Sequence, residues 1–101
     1  MEKIKYIYRD KKLFMGEPIK EKKIITQFLK NFKPNFATSG FIMDYVKNQK
    51  IEKHYNMGYE YNGFYWNEED IYHFIKYNMP LNQDFIDYVI SQKGQWDGSV
   101  R

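Results

Sequence analysis

The sequence predicts a small single domain of the α+β class, in which an antiparallel sheet, including a hairpin around Asn62-Gly63, packs against about four short helices. Three observations carry that prediction. A period-two stretch opens the chain, an Asn-Gly pair sits between two aromatic-rich runs, and apolar residues recur elsewhere at helical spacing. With 101 residues, 43% of them hydrophobic and 20% aromatic, the chain can bury a core without disulfide or metal staples, and it is too short for two domains.

Residues 3–8 set Lys3, Lys5 and Ile7 against Ile4, Tyr6 and Tyr8, the alternation of a strand. The charged run Arg9-Asp10-Lys11-Lys12 reads as a turn, and Leu13-Phe14-Met15 as a short returning strand. Pro18 suits the first turn of a helix, and Ile24, Ile25, Phe28, Leu29 and Phe32 mark one apolar face of a helix over residues 19–32 that stops before Pro34. Ile42, Tyr45 and Val46 suggest a second helix, with Thr38 or Ser39 as its N-cap.

Tyr59-Glu60-Tyr61 and Phe64-Tyr65-Trp66 flank Asn62-Gly63, which supplies the two positive φ angles of a type I′ turn. Tyr59, Tyr61, Phe64 and Trp66 then share one side of the hairpin, with Glu60 and Tyr65 on the other. Such a row could stack nucleobases; packing beneath helices as core is the favoured role, because no basic residue lies between Glu60 and Ile75 to hold phosphates. Asn67 caps a third helix carrying Glu68, Glu69 and Asp70 in its first turn, where the helix dipole favours negative charge. Its stripe is Ile71, Phe74 and Ile75, and it ends near Asn78, ahead of Pro80. Asn82 caps a fourth, with Phe85, Ile86, Val89 and Ile90 as its buried face and Gly94 as its stop. The domain so defined spans residues 1–94, and 95–101 form a flexible tail with only Trp96 to order it.

Chemistry is hard to build from these residues. The absence of cysteine removes disulfides, thiolate metal sites and thiol nucleophiles. His54 and His73 are isolated, with His73 expected on the outer face of its helix one turn after Glu69, and helix capping accounts for Glu68-Glu69-Asp70. No phosphate-binding glycine loop, nucleophile elbow, zinc spacing or dinucleotide fingerprint is present. The expectation is a non-enzymatic protein with no catalytic residue, metal or cofactor. No secretory signal or membrane-length apolar run appears either, so a cytoplasmic protein without a membrane partner is expected, in a bacterial-style sequence rich in Lys, Asn, Ile and Tyr.

Charge is the sharpest functional signal. Residues 1–53 hold thirteen Lys and Arg against six Asp and Glu, a formal +7, whereas residues 54–101 hold three against seven, a formal −4. Solvated helix faces would account for this without any partner. The functional reading is protein–protein interaction: an inhibitor or immunity protein that neutralises a toxin or nuclease, its acidic helices standing in for the polyanion that a basic enzyme binds. A phage-borne inhibitor of a defence enzyme fits equally. The residues expected to meet the partner are Glu69, Asp70, His73, Tyr77, Asp84, Asp87 and Tyr88 on the outward faces of the last two helices. The alternative is a nucleic-acid-binding module using Lys22, Lys23, Lys30 and Lys33, supported by pI ≈ 9.0 and by Tyr6 and Tyr8 near Lys3, Lys5 and Arg9. It is weakened by the presence of only two arginines, Arg9 and Arg101.

Overall fold

The computed structural model describes residues 4–96. It is an α+β domain in the order β1 (Lys5–Tyr6), α1 (Lys22–Leu29), β2 (Phe36–Asp44), β3 (Gln49–Tyr61), β4 (Phe64–Asn67), α2 (Glu68–Tyr77) and α3 (Gln83–Trp96). The sheet runs β1-β4-β3-β2 and is mixed rather than wholly antiparallel, because β1 joins β4 in parallel while β4–β3 and β3–β2 are antiparallel. Three helices, not four, are present among the described residues.

The first strand is shorter than its alternation predicts. Lys5 N–H reaches the Gly63 carbonyl at 2.8 Å, but from Ile7 onward the chain pairs with the α2–α3 connection instead: Asn82 N–H donates to Ile7 O (2.8 Å) and Arg9 N–H to Pro80 O (3.0 Å). Asn82 spends its side-chain amide on the Tyr6 carbonyl at 2.7 Å, so it ties the N-terminal segment down in front of α3. Leu13-Phe14-Met15 forms no strand, since no neighbouring backbone offers it a ladder; Gly16 N–H bonds Tyr77 O at 3.0 Å, and the Phe14 ring packs on Tyr45 and His73.

The predicted helix through Ile42, Tyr45 and Val46 is the largest correction. Thr38 and Ser39 lie within β2, and the chain turns at residues 45–48 to return as β3. Apolar spacing misled here because Tyr45 and Val46 belong to the turn. Asp44 Oδ1 accepts the N–H groups of Val46 (3.0 Å) and Lys47 (2.9 Å), and Asn48 takes φ 57°. That is the side-chain-to-backbone turn chemistry Asp and Asn favour.

The hairpin prediction holds. Asn62 (φ 53°) and Gly63 (φ 84°) join β3 to β4, with Tyr61 opposite Phe64 and Tyr59 opposite Trp66. A β-branched residue is strained at such a φ, so Gly63→Val is expected to cost about 1–3 kcal/mol in thermal unfolding. A variant melting at the wild-type temperature would contradict the turn assignment.

Tyr59, Phe64 and Trp66 are buried and Tyr61 half-buried, which makes the row part of the core and removes it as a base-stacking platform. Trp66 stacks on Tyr59 with ring centres 5.6 Å apart, and Phe28 of α1 and Phe85 of α3 close over it at 6.0 Å each. Ile25, Leu29, Phe74 and Val89 complete this layer, so all three helices cover the same sheet face. Helix α1 is shorter than its apolar spacing suggests; Ile19 and Phe32 pack on the core from outside it. Helix α3 runs through Gly94 to Trp96, past the expected stop, and Ile90 is exposed rather than buried. Residues 97–101, most of the predicted tail, lie outside the described residues.

Candidate partner-binding surface

Helix α2 starts where the sequence places it. Asn67 Oδ1 accepts Asp70 N–H (3.0 Å) and Asp70 Oδ2 accepts Asn67 N–H (3.1 Å), a reciprocal cap that satisfies two otherwise orphaned donors. The cap also draws Asp70 inward, leaving it 9% exposed instead of on the solvent face expected of it. Burial pushes its carboxyl up to about 7; the Asn67 N–H opposes the shift and the charge of Glu69 adds to it.

The other predicted residues of α2 are engaged by the β2–β3 turn, which the helical reading of residues 42–46 had removed from consideration. Glu69 Oε2 accepts Met43 N–H at 2.9 Å, and the Tyr45 hydroxyl stands 3.4 Å from the same oxygen. His73 is 1% exposed, not an outer-face side chain. Its Nδ1 donates to the Glu69 carbonyl (2.7 Å) and its Nε2 accepts Tyr45 N–H (3.0 Å), so its partners define the neutral tautomer and use both nitrogens.

Tyr77 is also committed. Its hydroxyl and that of Tyr72 each donate to Asp44 Oδ2 at 2.6 Å, beneath the turn held by Asp44 Oδ1. Burial alone would raise the Asp44 carboxyl, but the two hydroxyls and two backbone N–H groups outweigh it and hold the group below the usual carboxylate range. The same bonds raise Tyr72 and Tyr77 above the ordinary phenol value. This fully hydrogen-bonded anion fastens the β2–β3 turn to α2, and its role is structural.

On α3, Asp84 and Asp87 are exposed as expected. Asp84 meets Lys5 at 3.0 Å in a solvent-facing pair, and Asp87 accepts Gln83 Nε2 at 2.9 Å. Tyr88 is half-buried against Phe64, 5.4 Å between ring centres, and seals the core edge. The acids of the two helices are engaged differently: Asp84 and Asp87 stay exposed on α3, whereas Glu69 and Asp70 are drawn in by the backbone of Met43 and Asn67.

The α2 acids open instead on a pocket of about 350 Å³ between the N-terminal segment, the β2–β3 turn and the start of α2. Tyr8, Asp10, Phe14, Tyr45, Glu69 and Asp70 line it, with Lys11 at the same opening. Phe14 and Tyr45 stack with ring centres 4.9 Å apart and form one wall, and Tyr45 is 45% exposed. Ion pairs among the described residues are confined to Lys5–Asp84 and His54–Glu68, so none of the three pocket carboxylates has a cationic partner. Asp10, Phe14 and Tyr45 were not foreseen as site residues; their only signal was the turn chemistry of Asp44 and Asn48, which would have brought Tyr45 over α2.

Of the lysines in the alternative reading, Lys22 is tied into the fold, donating to Ile75 O (2.8 Å) and Asn78 Oδ1 (2.6 Å). Lys23, Lys30 and Lys33 are exposed. A different aromatic row lies on the helix-free face of the sheet. Tyr65 meets Tyr6 edge-on at 5.5 Å and stacks with Phe36 at 5.8 Å, while Phe36 spans Gly58, where a Cβ would collide with its ring. Among the described residues no group of His, Asp and Glu could hold a metal ion, and no helix is long and apolar enough to cross a membrane. No protein-family model matches the chain, and neither the curated proteins nor the solved structures contain a match.

Proposed function

We propose that this is a non-enzymatic protein-binding domain that neutralises a basic protein, a toxin or nuclease, as an inhibitor or immunity protein does. The observation that carries the reading is the set of three carboxylates, Asp10, Glu69 and Asp70, lining one pocket beside an exposed Tyr45, with Lys11 the one cation of the lining and no ion pair made to any of the three among the described residues. A carboxylate as buried as Asp70 is costly to ionise without a counter-charge, and a cationic partner offsets that cost on binding. Exposed Asp84 and Asp87 extend the negative field that would steer such a partner. Immobilised chain at physiological salt is expected to retain a basic protein from the source cell, whose enzymatic activity falls to zero at one equivalent of added domain. Retention of an acidic protein, or a retained enzyme whose activity is untouched, would contradict the reading.

A second reading, nucleic-acid binding, draws support from Tyr6, Tyr65 and Phe36 aligned across the helix-free sheet face, since flat aromatic rings on a sheet can stack bases. Under the leading reading, fluorescence anisotropy with single- and double-stranded DNA and RNA detects at most a weak association at low salt that disappears by about 0.15 M. Tight binding that survives this salt would put the second reading first.

A further inference from the structure

Three features of the pocket point to one kind of ligand. Its walls are aromatic, with Phe14 and Tyr45 stacked as a pair and Tyr8 also in the lining. Its floor holds Asp70, nine-tenths buried, with Oδ2 on the Asn67 N–H and no hydrogen-bond partner for Oδ1 among the described residues. Its volume, about 350 Å³, lies at the small end of ligand sites, enough for one long side chain and too little for a folded segment. We propose that this pocket receives an arginine side chain of the basic partner, its guanidinium against Phe14 and Tyr45 and its N–H groups on Asp70 and Glu69. The assignment rests on the protein-binding reading and names the group that reading requires.

Arginine fits better than the alternatives. A guanidinium is planar, stacks on aromatic faces and sheds water more readily than an ammonium, so it tolerates a buried carboxylate. A metal ion is disfavoured because Asp10, Glu69 and Asp70, although they line one pocket, do not form a group that could hold one, and no such group is found among the described residues. Charge balance agrees: Asp10, Glu69 and Asp70 face Lys11 as the lone cation of the lining. Tyr8 and Tyr45 complete the titratable groups at the opening, and burial raises both above the ordinary phenol value, so they stay neutral hydrogen-bonding walls.

Binding a cation requires Asp70 as its carboxylate, so affinity follows its ionisation. With the carboxyl near pH 7 in the free domain, about a tenth is ionised at pH 6 and about nine-tenths at pH 8, and arginine binding tightens roughly tenfold between them. The test is an amide-resolved NMR titration of the full chain with N-acetyl-arginine methylamide and its lysine and citrulline counterparts at both pH values. Expected is saturable binding of the arginine compound at pH 8, with a dissociation constant on the order of millimolar, shifts centred on Tyr45, Glu69 and Asp70, weaker binding of lysine and none of citrulline. Asp70→Asn, which keeps an oxygen for the cap, is expected to lower arginine affinity at least tenfold and to abolish the pH dependence; NMR of the variant verifies its fold. Equal binding of citrulline and arginine, wild-type affinity in Asp70→Asn, or shifts confined to α3 would overturn the assignment. If the immobilised chain retains a basic protein but arginine does not titrate the pocket, the arginine site falls and the protein-binding reading stands. If arginine binds as described while no basic protein is retained, the site stands and that reading falls.

Discussion

Asp44→Ala is expected to destabilise the fold by roughly 3–5 kcal/mol, the loss that follows when four donors, two of them half-buried hydroxyls, lose one shared anionic acceptor. The carboxylate is fully buried and takes four hydrogen bonds, from Tyr72 and Tyr77 and from the backbone of Val46 and Lys47. Alanine strands all four donors at once and frees the β2–β3 turn from α2, so Glu69 and His73 lose their partners there as well. For a domain of this size each kcal/mol moves Tm by about 4–8 °C, which makes the drop at least about 12 °C. Asp44→Asn keeps one acceptor oxygen for the turn and is expected to fall between. The pH dependence has a definite sign. Because the folded carboxyl is held below its unfolded value of about 3.9, the stability it contributes is complete above that pH and is lost as pH falls through the lowered folded value. Urea unfolding measures both effects, and an alanine variant within about 1 kcal/mol of wild type would refute the structural role.

The second large effect runs the other way in pH. Asp70 is raised to about 7 in the fold, so between about pH 4 and pH 7 the folded state binds the proton more tightly than the unfolded state does. Stability therefore declines as pH rises across this window, with the full penalty above 7. About three pH units at 1.36 kcal/mol each gives on the order of 4 kcal/mol. Asp70→Asn, capped by the same geometry but without the charge, is expected to match wild type near pH 4.5 and to exceed its stability by several kcal/mol at pH 8. Parallel pH profiles for the two proteins would show that Asp70 ionises normally in the fold. Together the two carboxyls place maximum stability near pH 4–5, lower than is usual for a domain whose acids are all exposed or paired.

The parts of this molecule governed by local rules were legible in its sequence. Asn62-Gly63 needs no distant partner to form its turn, and Asn67 and Asp70 cap α2 through atoms three residues apart. The aromatic row of the hairpin was correctly set on one face, because register follows from turn type. What failed depends on which segments meet in space. Ile42, Tyr45 and Val46 matched a helical period by coincidence, and once they were read as a helix no turn remained to cover α2. The helical wheel therefore put His73 and Tyr77 in solvent when Tyr45 of the turn and Asp44 of β2 claim them, and put Asp70 there when its cap with Asn67 draws it inward. Asp84 and Asp87 were placed correctly: both are exposed on α3, and the Lys5 contact to Asp84 faces solvent. Phe14, Asp10 and Tyr45 converge only in the folded chain, and no spacing in the sequence records it.

The central claim, that acidic side chains of this domain bind a basic protein, is tested most directly by association kinetics with the retained partner across a salt series. Three folded forms suffice: wild type, Asp84→Lys with Asp87→Lys, and Glu69→Gln with Asp70→Asn. Loss of the exposed α3 charges is expected to slow association about tenfold or more and to flatten its salt dependence, while loss of the pocket charges chiefly speeds dissociation. Unchanged kinetics in both acidic variants, together with weakened binding when Lys23 and Lys30 are replaced by alanine, would contradict the claim and assign the contact to the basic face of α1.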